Sequence, residues 1–145
     1  MWVPSRCAPP RGADSVDAMS PLVRSGLVEL AVAALFGWLI VIRLERPAWL
    51  TRAGVKSPRR LMQAHLDYVM MGLIAMAVGL ALPDLATWVR VLLILGTWVN
   101  PTLFLPLAFS DTADRNPVYR AVTVVSFVAM STALVAAAVT GLTAD

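Results

Sequence analysis

Cysteine and histidine are almost missing from this chain. Its 145 residues hold one Cys, Cys7, and one His, His65. A lone Cys cannot close an intrachain disulfide and says little about redox compartment. With so few soft ligands, a zinc cluster of His and Cys is excluded; no Gly-rich phosphate loop or Ser-His-Asp set is present either. Charge is scarce as well. Only 14% of residues are Asp, Glu, Lys or Arg, against about 25% in soluble domains. Apolar residues make up 59%, more than so small a soluble core can hide. Regular alternation of apolar and polar residues is missing from the apolar runs, which excludes a membrane β-barrel.

What remains is four long apolar runs. They cover Gly26–Ile42, Leu66–Leu82, Trp88–Phe109 and Ala121–Leu142. Each approaches the ~20 residues that cross a bilayer core of about 30 Å. The fold class expected is therefore all-α, an integral membrane bundle of four transmembrane helices in one domain over residues 19–145. Small residues on the helix faces leave stripes to bury, which points to a homo-oligomer. Residues 1–18, "MWVPSRCAPPRGADSVDA", are rich in Pro, Arg and Asp and contain no apolar stretch of signal-peptide type. They read as a disordered tail; a second reading makes Met19 the true start.

The net charge is +3. In a membrane chain such a balance reports topology rather than nucleic-acid binding. Between the first two runs stand Arg43, Arg46, Arg52, Lys56, Arg59 and Arg60 against one acid, Glu45; the third connection adds Arg115 and Arg120. The positive-inside rule puts these two connections in the cytoplasm and both termini outside, in the plasma membrane of a bacterium. The same basic loop is compatible with contact to anionic lipids.

Polar residues at membrane depth are costly, so each is a candidate for function. They are Glu29, His65, Asp67, Tyr68 and Asn100. At about 100° per residue, Val69, Gly72, Met76 and Gly79 share the face of His65. That face has two readings: a notched seat for a flat ligand, or close helix–helix packing. Imidazole is the usual proximal ligand of haem; the other reading of His65 is an interfacial residue touching headgroups. Asp67 lies about 200° around from His65, so the two are no chelating pair, and a loop base such as Arg59 or Arg60 is its expected partner. Glu29 reads as a snorkelling or paired acid at the outer boundary. Pro101 and Pro106 each remove a helical donor and crowd the carbonyl four residues back, so a kink is expected near Asn100. That residue either satisfies the kinked backbone or helps to line a cavity. His65 sits near the cytoplasmic edge of the second run and Asn100 about 14 Å above the same edge; a flat cofactor between helices 2 and 3 would span the two. One His excludes bis-His haem within a chain, and Met76, about 16 Å along the helix, is too far to ligate the same iron.

Two pieces of the chain resemble the styrene oxide isomerase family. One is Ala64-His65, with Gly72 seven positions after the His and Leu82-Pro83 closing the helix. The other is "LGTWVN", residues 95–100, which resembles the family's Trp-x-Asn. The likeness covers roughly residues 26–142. It implies a four-helix membrane protein, trimeric, that binds haem b and rearranges a small hydrophobic epoxide to a carbonyl product. By resemblance His65 is the axial ligand, Gly72, Trp98 and Asn100 contact the cofactor, and Asn100 acts in catalysis. Three polar positions of the family are apolar here: Met71, Gly96 and Phe104. Tyr68, one turn after the His, is a candidate to replace a lost hydroxyl. Two further readings come from other classes: a non-enzymatic membrane subunit, and a small transporter built around the broken third helix.

Overall fold

The computed structural model describes residues 19–143; the tail expected over residues 1–18 lies outside them. Every described element is helical. The order is α1 (Pro21–Glu45), α2 (Pro47–Arg52), α3 (Pro58–Ala81), α4 (Thr87–Thr102), α5 (Phe104–Phe109), a 3-10 turn (Ala113–Arg115) and α6 (Pro117–Thr143). Four helical stretches are long and apolar enough to cross a membrane: α1, α3, α4 with α5, and α6. The expected all-α membrane bundle is what the chain forms.

Three of the long helices start earlier than their apolar runs because their starts carry their own signals. Pro21, Pro47, Pro58 and Pro117 all stand in the first turn, where a missing N–H costs nothing. Ser20 accepts from the Val23 amide at 3.3 Å, and Asn116 accepts from the Val118 amide at 2.8 Å. Both bonds satisfy otherwise orphaned donors. As a result α3 begins eight residues before Leu66. His65 therefore stands in its third turn.

Glycine sets the tightest contact. A Cβ on Gly26 of α1 would meet the Gly72 carbonyl oxygen of α3 at 2.6 Å, and one on Gly72 would meet the Gly26 carbonyl oxygen at 2.9 Å. The two backbones approach so closely that neither position tolerates a side chain without a shift. Further along the same contact, Gly79 packs on Val23 and Ser20, and on the far side of the bundle Gly96 of α4 packs on Met130 of α6. The main core joins Leu22, Ala75, Leu85, Val89, Leu93, Met130, Ala133 and Ala137. A smaller cluster of Leu50, Val55, Leu61 and Ala108 closes the end where the basic loop lies. There the amides of Lys56 and Ser57 both donate to the Ala108 carbonyl, at 2.9 and 3.0 Å. The outer faces carry exposed Leu35, Trp38, Leu80, Val125 and Phe127, as lipid-facing surfaces do.

The third span breaks at Leu103, between α4 and α5, rather than at Asn100. Pro101 is accommodated inside α4. The break falls between the two prolines, just past Thr102, whose carbonyl Pro106 deprives of its donor and crowds.

Candidate functional site

The imidazole of His65 turns toward α1. Its Nδ1 lies 2.9 Å from the carbonyl oxygen of Ala33, the midpoint of that helix. A carbonyl can only accept, so Nδ1 carries the proton and Nε2 the lone pair. Among the described residues Nε2 has no hydrogen-bond partner, and it is not enclosed. Gly37, one turn beyond Ala33, stands beside the ring; a Cβ there would lie 3.6 Å from His65 Cε1. This is the arrangement in which a metal-binding His presents one nitrogen while the backbone fixes the other.

Next to it, a polar and aromatic seam fills the space between α1, α3 and α4. The Tyr68 hydroxyl lies 2.7 Å from Thr102 Oγ1. Thr102 spends its own proton on the Trp98 carbonyl at 2.7 Å, so Tyr68 is the donor to Thr102. The Tyr68 ring packs edge-on to Trp98, 6.1 Å between centroids, and against Phe36 at 5.6 Å. Trp98 Nε1 donates to Ser25 Oγ at 2.8 Å. Glu29 lies at the centre, fully buried. Its Oε1 is 2.6 Å from Thr97 Oγ1 and 3.5 Å from Ser25 Oγ.

Several expectations change here. Glu29 is neither snorkelling nor ion-paired: it faces inward, because its helix turns this side onto Gly72, where only a backbone neighbour leaves room for a carboxyl stem. Asp67 makes no ion pair among the described residues; Arg60 donates to Gln63 Oε1 at 2.9 Å instead, one turn along its own helix. His65 and Asn100 are not brought together. Asn100 sits on the opposite side of α4 from the Trp98 seam, buried, where Ser126 of α6 donates to its Oδ1 at 2.7 Å. Gly72 and Gly79 are notches, but α1 occupies both.

So the structure gathers Tyr68 and Trp98 into one seam, places His65 one turn of α3 away from Tyr68, and sends Asn100 elsewhere. The residues that sequence reasoning passed over are Ser25, Thr97 and Thr102. Ser25 stands one helical turn before Glu29, and that spacing is the signal that could have marked it. Among the described residues no three His, Cys, Asp or Glu side chains gather to hold a metal ion. A groove of about 600 Å³ opens between α3 and α6, lined by residues such as Ala77, Ala81, Leu134 and Gly141, and one of about 380 Å³ between α4 and α6 reaches Ser126. Neither borders His65. No protein-family model, curated protein or solved structure matches this chain.

Proposed function

We propose that this chain is a haem b protein of the membrane, in which His65 would hold the iron through Nε2. The observation that carries the reading is the hydrogen bond from His65 Nδ1 to the Ala33 carbonyl. It fixes the tautomer, orients the ring and leaves the second nitrogen bare. The imidazole is half-buried between two apolar helices, a costly place for a polar ring that calls for a use, and donor chemistry of this kind suits iron. One protomer supplies the nitrogen without enclosing it, so a second copy of the chain provides the facing wall in a homo-oligomer, a trimer by resemblance.

The fuller reading is an epoxide-to-carbonyl isomerase acting on a small hydrophobic substrate. It rests on the resemblance carried by Ala64-His65, Gly72, Leu82-Pro83 and Trp98-x-Asn100. Bound ferric haem would supply a Lewis acid for the epoxide oxygen. The chain's own part is to hold His65 by Ala33 and to keep water out with the rings of Phe36, Tyr68 and Trp98. Of the two side chains expected in catalysis, Tyr68 lies in the seam one turn from the ligand, whereas Asn100 faces α6 and acts on it only through the fold.

A second reading is favoured by one specific observation: Gly72 and Gly79 are used up by packing on α1. This is what a non-enzymatic membrane subunit needs and no more. Absorbance separates the two. Protein purified in detergent from haem-supplemented cells is expected to show a Soret band; colourless protein would return the chain to the subunit reading. Epoxide isomerisation is then assayed on the coloured protein.

A further inference from the structure

Glu29 has no part in the haem reading, and its surroundings pose their own problem. It is 0% exposed, eight residues inside α1, and its Oε2 is enclosed and has no hydrogen-bond partner. Among the described residues no cation pairs with it. On α1 the nearest base, Arg24, is exposed. On α3 it meets Gly72, and the titratable groups of that face, His65 and Tyr68, are engaged with Ala33 and Thr102. On α4 it meets Thr97 beside Trp98, and Arg90 donates to the carbonyls of Pro83 and Leu85.

The protons can be counted. Thr97 Oγ1 lies 2.6 Å from Glu29 Oε1 and 3.1 Å from the Ile94 carbonyl oxygen. A hydroxyl has one proton. If Glu29 is bare, one of these two close contacts sets oxygen against oxygen with nothing between. If Oε1 carries a proton, Glu29 donates to Thr97 and Thr97 donates to Ile94, and every contact is filled. The site also selects its ligand by size. No water-sized space opens onto Oε2, so a hydrated ion or an amine has no room, whereas a proton needs none.

A route exists as well. Ser25 is half-buried, one turn nearer the N-terminal end of α1, with its hydroxyl 3.5 Å from Glu29 Oε1. A hydroxyl accepts one proton as it gives another, so it can relay; the Trp98 indole N–H can only donate and serves to hold Ser25 in place. We propose that Glu29 is a proton-binding site at membrane depth, loaded through Ser25. In the loading step a water at the N-terminal end gives a proton to Ser25 Oγ, the Ser25 O–H bond breaks, and an O–H bond forms on Glu29 Oε1. Hydroxide is left in the water phase.

Infrared spectroscopy of the full chain in detergent tests this, whatever its haem content. The sequence has two glutamates, Glu29 and the exposed Glu45, so carbon-13 glutamate labelling reports on both without any substitution. At neutral pH the wild-type protein should show a C=O stretch of a protonated carboxylic acid that shifts on glutamate labelling. It should move again in D2O and be lost in Glu29→Gln. Its exchange with D2O should slow in Ser25→Ala and recover in Ser25→Thr. A labelled spectrum with carboxylate bands alone would overturn the site. Unchanged exchange in Ser25→Ala would overturn the route.

Discussion

The Nδ1 nitrogen of His65 and the carbonyl oxygen of Ala33 lie 2.9 Å apart, joining the third turn of α3 to the midpoint of α1. The bond answers why the only His of the chain stands where it does. It also commits the ring to one tautomer, which is what makes the haem reading specific to Nε2.

Replacing His65 should therefore separate insertion from cofactor. His65→Ala protein is expected to reach the membrane in normal amount and to lose its Soret absorbance to background. The imidazole contributes a single interhelical bond, worth about 0.6 kcal/mol in membrane helices, too little to abolish folding. A variant that keeps the full Soret band would remove His65 from the role of indispensable ligand.

The Gly26–Gly72 contact should be the least tolerant position of the bundle. Adding one methyl group in Gly26→Ala places a Cβ 2.6 Å from a backbone oxygen, and overpacking of this kind costs about 1–3 kcal/mol. Gly37→Ala, whose Cβ would have 3.6 Å to its nearest neighbour, is the matched control with little or no loss. Thermal denaturation in one detergent compares the two; equal melting temperatures would contradict the close approach.

Asn100 should act through Ser126. Their 2.7 Å hydrogen bond is the buried polar link between α4 and α6. A double-mutant cycle with Asn100→Leu and Ser126→Ala should return a coupling of about 0.6–1.7 kcal/mol. Independent, additive effects would mean that the two side chains do not interact.

Orientation follows from the eight basic residues of the two loops expected inside the cell. An alkaline phosphatase fused after Asp145 should be active, and a cytoplasmic reporter at the same site inactive. The opposite pair of results would invert the topology.

The architecture was legible because hydropathy and length are properties of single segments. Four apolar runs of this size have few alternatives to four spans. The starts at Ser20-Pro21, Ser57-Pro58 and Asn116-Pro117 are legible too when the prolines are read as first-turn residues. Hydropathy alone misses them, since it weighs the polar first turns as loop. The partners of His65, Glu29 and Asn100 were not legible. Which face of α4 meets which helix depends on the rotation of each rod about its axis, and small residues such as Gly26, Gly72 and Gly96 set that rotation through contacts across long stretches of sequence. Thr97 and Asn100 are three residues apart, yet they serve different interfaces.

The partnership of Glu29 with Thr97 also has a timing. The two residues are 68 positions apart, so at about 5–20 residues per second a ribosome needs roughly 3 to 14 seconds to make the second after the first. Through that interval α1 must enter the bilayer with its acid unattended by α4. Of the acid's two hydroxyl partners, the one made early enough to help is Ser25, on the preceding turn of the same helix. The first span thus carries its own escort for a polar group, which Trp98 holds in place once the third span arrives. Ribosome-stalled chains ending before residue 97 should depend on Ser25 for insertion of the first helix more strongly than the finished protein does.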